Sequence, residues 1–261
     1  MTVDRVAAFR RERSALLGFC RELSESQWSA ESLAAGWRVQ DVVAHLGASC
    51  RALFTPAAVT LLTTRDIERA NDIPVDSRRD WHWSRVLTEY ERWSGRTLRA
   101  ASLLAKTPAR ALRTRLGELG SFEVGLVLPG ALVFDHHTHL RHDIAPAIGV
   151  PAPGTDAQRM SVVVEWMLAV LANQLKAAPP SCLRAPVCLE LPGEGGGRWL
   201  VHPDGRISVA GDDCGPIASI RSDISSFPAW ATKRVDWRIS DIAISGDQEL
   251  LTTLLDLINI V

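Results

Sequence analysis

The sequence predicts an α+β fold, in which a four-helix bundle is followed by a smaller α+β domain with a short antiparallel sheet. Apolar residues recur at helical spacing through the first 150 residues, whereas strand-like alternation is confined to the second half of the chain. A Pro- and Gly-rich stretch, "GVPAPGTD", separates the two patterns. We therefore place the boundary near residue 150, which gives predicted domains of residues 1–150 and 151–261.

The first domain is predicted to contain four helices. The first covers Val3–Leu23, where apolar residues follow a helical stripe. The second is "RVQDVVAHLGASCRALF", the third is "WSRVLTEYERWSGRTLRAASLLAK", and the fourth covers Gly130–Ile148. Helices that each have one apolar face bury those faces against one another, so this pattern favours a bundle.

The second domain begins with a predicted helix over Ala157–Leu175. The segment "PPSCLRAPVCLELPGEGGGRWLVHPDGRISVA" then shows alternating apolar runs and a PDG turn, which indicate antiparallel strands. The closing segment "DWRISDIAISGDQELLTTLLDLINIV" predicts a short strand, a break, and a terminal amphipathic helix. Asp247 is the predicted N-cap of that helix.

Composition excludes several classes of protein. A formal net charge of -1, with 46% hydrophobic and 23% charged residues, is typical of a soluble globular protein without attraction for nucleic acid or anionic membranes. The chain has no P-loop, GxGxxG or GxSxG motif. Its charged N-terminus and lack of eighteen consecutive apolar residues predict a cytoplasmic location. Nothing in the sequence indicates the oligomeric state.

The five cysteines predict neither a disulfide framework nor a thiolate zinc site. They are odd in number, scattered along the chain, and contain no CxxC pair. Most are expected to be idle or buried thiols. Cys50, five residues after His45, is the one candidate nucleophile among them.

The segment "VFDHHTHLRHDI", residues 133–144, contains four of the seven histidines. On a helix, Asp135 and His139 are four residues apart and share a face, with Cβ atoms roughly 6 Å apart, and His142 follows on the same stripe. A carboxylate and an imidazole in this arrangement can bind one divalent ion, but a third ligand must come from another helix. His45, beside the apolar stripe of the second helix, is the candidate.

Two structural interpretations compete with this metal site. A histidine on an apolar helix face, such as His45, is more often a hydrogen-bonded core residue. The cluster at 136–142 equally fits solvated side chains near a helix C-terminus, where the macrodipole favours positive charge. Spacing alone leaves these alternatives open.

A resemblance to a known family adds to this interpretation. The segment "WSAESLAAGWRVQDVVAHLGA" (Trp28–Ala48) is similar to the N-terminal signature of the mycothiol-dependent maleylpyruvate isomerase family, within the DinB-like group of metal-binding helical bundles. The resemblance implies that His45, Asp135 and His139 are metal ligands. The segments "FPAWATKRVDWR" and "ISGDQELLTTLLDLINIV" resemble the family's C-terminal domain, so the likeness extends over nearly the whole chain.

Two departures from the family pattern affect the ligand assignment. Asp135 stands where glutamate is more usual, and it is shorter by one methylene. The family places an aspartate three residues after the ligand histidine, whereas Asp143 is four residues after His139. Either the helix contains a one-residue bulge, or His136 or His142 takes the place of a proposed ligand.

The resemblance implies a metal-dependent enzyme that uses the small-molecule thiol mycothiol. A divalent metal, expected to be zinc, would hold the thiol as a thiolate for isomerase or S-transferase chemistry on a small electrophilic substrate. Arg234, at the family's arginine position, is the candidate to bind a substrate carboxylate, or it pairs with Asp236 or Asp241 at the surface. The alternatives are a non-catalytic, metal-stabilised binding or regulatory module and a metal-dependent hydrolase. Zinc, nickel, iron and manganese all suit these ligand types.

Overall fold

The structure is a computed structural model that describes residues 3–211 and 218–260. The chain divides into two compact units, Met1–Gly154 and Thr155–Val261. The first unit is mainly helical, and the second combines helices with a small sheet. The predicted α+β fold class is confirmed.

The first unit is built from helices of very different lengths, together with one short hairpin. Its α-helices are α1 (Arg5–Arg21), α2 (Glu25–Ser29), α3 (Val39–Ala52), α4 (Ala57–Thr63), α5 (Ile67–Asp76), α6 (Trp83–Leu104), α7 (Val124–Leu126) and α8 (Leu132–Thr138). Two π-helical segments, Val127–Ala131 and His139–Ile144, lie on either side of α8. Short 3-10 helices cover Pro108–Ala111 and Gly117–Leu119. Strands β1 (Arg113–Arg115) and β2 (Ser121–Glu123) pair antiparallel.

The four predicted bundle helices are all present. They are α1, α3, α6 and the continuous helical segment 124–144, which we call the last bundle helix. α3 packs against α6, while α1 packs against both α6 and α8. Leu16, Val42, Leu46, Tyr90 and Leu140 are completely buried where these helices meet. Because His45 lies between Val42 and Leu46 on α3, burial of that stripe carries the imidazole into the bundle.

Helices α4 and α5 fill a connection for which the sequence predicted no element. α4 is only seven residues long and has no buried residue, and α5 contains Pro74, which in a sequence argues against a helix interior. Within the described residues, no single helix has the length and apolarity needed to span a membrane. α3 and α4 meet those criteria only as a pair, bent by 97°.

The second unit combines α9 (Ala157–Ala177), α10 (Phe227–Ala231) and α11 (Gln248–Leu257) with a five-stranded sheet. The strands are β3 (Val187–Leu191), β4 (Gly197–Val201), β5 (Ile207–Val209), β6 (Ser219–Ser222) and β7 (Ile242–Ser245), in the order β5-β4-β3-β6-β7. A 3-10 helix covers Trp237–Ile239. As predicted, Asp247 caps α11 by accepting a hydrogen bond from the Leu250 amide at 3.1 Å.

The sheet is mainly antiparallel, as predicted, and it contains one parallel pair. The pairs β3–β4, β4–β5 and β6–β7 are antiparallel, whereas β3 and β6 run parallel. The predicted hairpins around the PDG turn are therefore present. The parallel pair arises because β4 and β5 occupy one edge of β3, and the chain returns to the other edge in the direction of β3. The alternation of apolar and polar residues within a strand does not indicate the direction in which the next strand will pair.

The structure describes four of the five cysteines. Cys20, Cys50, Cys182 and Cys188 form no disulfide among the described residues, and Cys214 lies outside them. Cys50 is completely buried, and this burial raises the pKa of its thiol to about 12. The thiol is therefore protonated at neutral pH and closed to solvent. The interpretation of Cys50 as a nucleophile is wrong.

Candidate metal centre

Three side chains from two bundle helices converge on one point. His45 comes from α3, Asp135 from α8, and His139 from the start of the second π-helical segment. One candidate ligand atom from each lies within 4.8 Å of the other two. The Nε2 atom of His45 is 3.7 Å from Oδ2 of Asp135. Two ligand atoms on one tetrahedral zinc lie roughly 3.4 Å apart, so these residues fit a single ion with small side-chain adjustments.

The two ring nitrogens of His45 have different surroundings, since Nε2 faces Asp135 and Nδ1 does not. The residue is only 2% exposed. Its Nδ1 atom is buried and has no hydrogen-bond partner among the described residues. Buried polar atoms are nearly always hydrogen-bonded, and leaving one unpaired is costly. Because Nε2 is the atom that faces Asp135, Nδ1 would stay unpaired with or without a metal on Nε2, and the assignment of His45 as a ligand stays a prediction.

The Asp135 carboxyl is held in the charged form that binds metal. Burial alone would raise its pKa, but the neighbouring imidazole of His45 and the charges of His139 and His136 bring the pKa below its usual value. The Asp135 side chain is still 29% exposed. Solvent therefore reaches the point of convergence from this side.

The last bundle helix contains a one-residue bulge, which is one of the two explanations offered for the departure from the family spacing. Residues His139–Ile144 are π-helical, and the Ala145 amide donates to the carbonyl of Leu140, five residues earlier, at 3.1 Å. In this segment the completely buried carboxylate of Asp143 lies 2.6 Å from Nδ1 of His139. That contact places the proton on the Nδ1 side of the ring and leaves the Nε2 lone pair for a metal.

The two alternative ligands lie elsewhere. His136 is completely buried, with Nδ1 2.7 Å from the carbonyl of Leu132 and its ring against Phe9 and Tyr90. Burial, opposed by the charge of Asp135, lowers the pKa of His136 to about 4. The His142 ring lies 6.4 Å from the ring of His137. Neither residue belongs to the converging trio.

Trp37 covers the trio, and sequence reasoning gave it no role at the site. Its indole lies 5.1 Å from the His45 ring and 6.2 Å from the His139 ring, measured between centroids. Nε1 of Trp37 donates to Asp72 of α5 at 3.1 Å, which fixes the orientation of the indole. The Gly-Trp pair in the N-terminal signature was the available signal. No sequence signal indicated Asp72, because helix α5 was not predicted.

Arg234 lies in the second unit, just after α10. It is exposed, and its backbone amide donates to the carbonyl of Ala229 at 3.0 Å. This bond belongs to the turn that ends the helix. A role for the guanidinium toward a substrate carboxylate stays a prediction.

Comparison with known proteins identifies the family. The model of the mycothiol maleylpyruvate isomerase N-terminal domain matches residues 9–145, which is more than half of the chain. The chain belongs to this family. The match includes the helices that carry all three members of the candidate metal centre. No curated relative matches the sequence significantly.

Solved structures support this family's fold over nearly the whole chain. The chain is similar to a crystal structure of the mycothiol-dependent maleylpyruvate isomerase, with a TM-score of 0.55, and to a histidine-to-alanine mutant of it, with a TM-score of 0.57. Both share 13% sequence identity, and each comparison covers 92% of this chain and 91% of the other. At this identity the likeness establishes the fold.

Proposed function

We propose that the protein is a cytoplasmic, metal-dependent enzyme that uses mycothiol as cofactor or co-substrate. It would act as an isomerase or S-transferase on a small electrophilic substrate. The observation that carries this proposal is the convergence of His45, Asp135 and His139 in a member of the mycothiol maleylpyruvate isomerase family. Three protein ligands that leave a solvent-accessible position are typical of catalytic zinc, which is the metal we propose.

The proposed roles follow from the contacts of each side chain. His45 and Asp135 would hold the metal from two different helices, and Asp143 would orient His139 toward it. Trp37 would exclude water on one side. When bound, zinc would lower the pKa of a coordinated thiol, which then can attack an electrophilic double bond near neutral pH. Arg234 would bind a carboxylate of the substrate.

Cobalt substitution tests the thiol chemistry directly. We expect the cobalt-loaded protein, titrated with mycothiol, to develop a new sulfur-to-cobalt charge-transfer absorption band. The His45→Ala variant, treated identically, should develop none. A spectrum that does not change at saturating mycothiol, while cobalt stays bound, would refute the thiol enzyme and favour a metal-stabilised binding or regulatory module.

Asp143 provides a second test, because it contacts a proposed ligand and not the metal. Asp143→Ala is expected to weaken metal binding about 10- to 100-fold, as is usual when the hydrogen-bond partner of a ligand histidine is removed. Asp143→Asn retains an oxygen acceptor of the same shape and should lose less. Competition with a coloured chelator measures both affinities.

Asp256→Ala is the matched control for Asp143→Ala, because Asp256 also accepts a ring N–H hydrogen bond, from Trp237, and contacts no proposed ligand. Its metal affinity should equal that of the unmodified protein. Circular dichroism verifies that each variant is folded. Unchanged affinity in folded Asp143→Ala would show that the bond to His139 does not support metal binding.

A further inference from the structure

The first unit carries a groove between α3 and α6 that has no part in the candidate metal centre. It is a cavity of about 410 Å³. We call it the arginine–tryptophan groove, and its main lining residues are Arg51, Trp81, Arg85, Glu89, Arg92 and Trp93. Such a concentration of arginine is notable in a chain whose net charge is -1.

The single carboxylate among these six residues is already neutralised. Nε and Nη2 of Arg78 lie 2.6 and 2.9 Å from the two carboxylate oxygens of Glu89. The Arg78 side chain is only 5% exposed, so this bidentate pair is well shielded from water. Arg51 lies 3.7 Å from the same carboxylate. Since Arg78 and Glu89 cancel, the charges of Arg51, Arg85 and Arg92 leave the groove strongly positive.

Indole rings hold the arginine side chains in place. The guanidinium of Arg85 lies 3.6 Å from the centre of the Trp81 ring. Arg92 and Arg96 lie 5.5 and 4.6 Å from the centre of the Trp93 ring. Within the part of the chain that the structure describes, no acceptor is bonded to the guanidinium group of Arg85 or Arg92. A guanidinium stacked on an aromatic ring keeps the N–H groups at its edge for a ligand, and its order reduces the entropy cost of binding.

We propose that this groove binds a small molecule that carries two or more linked phosphate groups. Three guanidinium groups around one small cavity match several negative charges that are joined within a few bond lengths. Guanidinium groups also pair with phosphate oxygens in a bidentate manner. The arginines already cover faces of both indoles, so recognition of charged groups is favoured over stacking of a planar ring. This site is independent of the proposed function.

Titration calorimetry with inorganic pyrophosphate tests the site. We expect saturable binding at fixed ionic strength and much weaker binding of orthophosphate. The double variant Arg85→Ala/Arg92→Ala should bind pyrophosphate at least roughly tenfold more weakly, because it lacks two charge-assisted hydrogen-bonding groups. Arg99→Ala is the matched control, since Arg99 is an exposed arginine of α6 outside the groove, and its affinity should not change.

Two further measurements identify where pyrophosphate binds and which form of the ligand is preferred. The His45→Ala variant should keep the affinity for pyrophosphate, which separates the groove from any metal bound at the candidate centre. If adenosine diphosphate binds as tightly as pyrophosphate, the ligand is an esterified diphosphate. If adenosine diphosphate binds more weakly than pyrophosphate, the ligand is the free anion. Absence of saturable binding, or equal binding by Arg85→Ala/Arg92→Ala, overturns the proposal, as does loss of binding in His45→Ala.

Discussion

Replacing His45 with alanine is expected to remove most of the metal from the protein as isolated. Asp135 and His139 lie four residues apart on one helix, whereas His45 is the only member of the trio from α3. Without it, two ligands from one helix face must hold the ion alone. We expect the affinity to fall by more than roughly 100-fold, since even loss of the partner behind a ligand costs 10- to 100-fold. Elemental analysis and chelator competition measure this loss.

His136→Ala is the matched control for this experiment. His136 is adjacent to Asp135 in sequence, but its ring packs against Phe9 and Tyr90, and Nδ1 contacts the Leu132 carbonyl. We expect a lower melting temperature, because the change leaves a cavity in the bundle, with metal content near normal in the folded protein. Asp135→Ala and His139→Ala should resemble His45→Ala. Full metal occupancy without His45 would refute the proposed centre.

The bundle helices were predictable because each buries one long apolar stripe. Such a stripe repeats at the period of the α-helix, so α1, α3 and α6 are visible in the sequence over three turns or more. The same period places Asp135 and His139 on one face. The spacing alone did not predict that Asp135 and His139 would lie close to His45. This proximity depended on how α3 packs against the last bundle helix, and the resemblance to the family supplied that information.

The details that complete the site were less predictable. The one-residue bulge is identified by the hydrogen bond from the Ala145 amide to the Leu140 carbonyl, which is a feature of the backbone and not of the residue pattern. Asp72, on the unpredicted helix α5, accepts a hydrogen bond from the Trp37 indole that lies beside the histidines. The first feature is a local change in backbone hydrogen bonding, and the second is a contact between residues distant in sequence. Hydrophobic periodicity encodes neither.

Glu12→Ala is expected to lower the free energy of unfolding by about 3 kcal/mol, because it breaks a buried ion pair from one side. Glu12 is a completely buried residue on α1. Its carboxylate lies 2.8 Å from NH1 of Arg141 and 3.3 Å from Nδ1 of His137, so it ties α1 to the last bundle helix. Removing it leaves a largely buried guanidinium without its main counter-charge. Urea denaturation at equal metal content measures the loss.

Arg21→Ala is the control, because it removes an ion pair of the same length, 2.8 Å to Glu91, whose partners are about half exposed. That pair should contribute less than about 1 kcal/mol. A Glu12→Ala loss no larger than the Arg21→Ala loss would show that the buried cluster does not stabilise the bundle.

The pH dependence of the difference between the unmodified protein and Glu12→Gln identifies the source of the stabilisation. Burial would raise the pKa of Glu12, but His137 and Arg141 together hold it below the usual value. A lowered folded-state pKa stabilises the protein above the unfolded-state pKa, and that contribution disappears as the pH falls through the folded-state value. The glutamine does not titrate, so the difference should be constant near neutral pH and shrink under acid conditions. A difference that stays constant into acid would instead indicate that Glu12 acts through its shape, because a charge effect must vanish once the carboxylate is protonated.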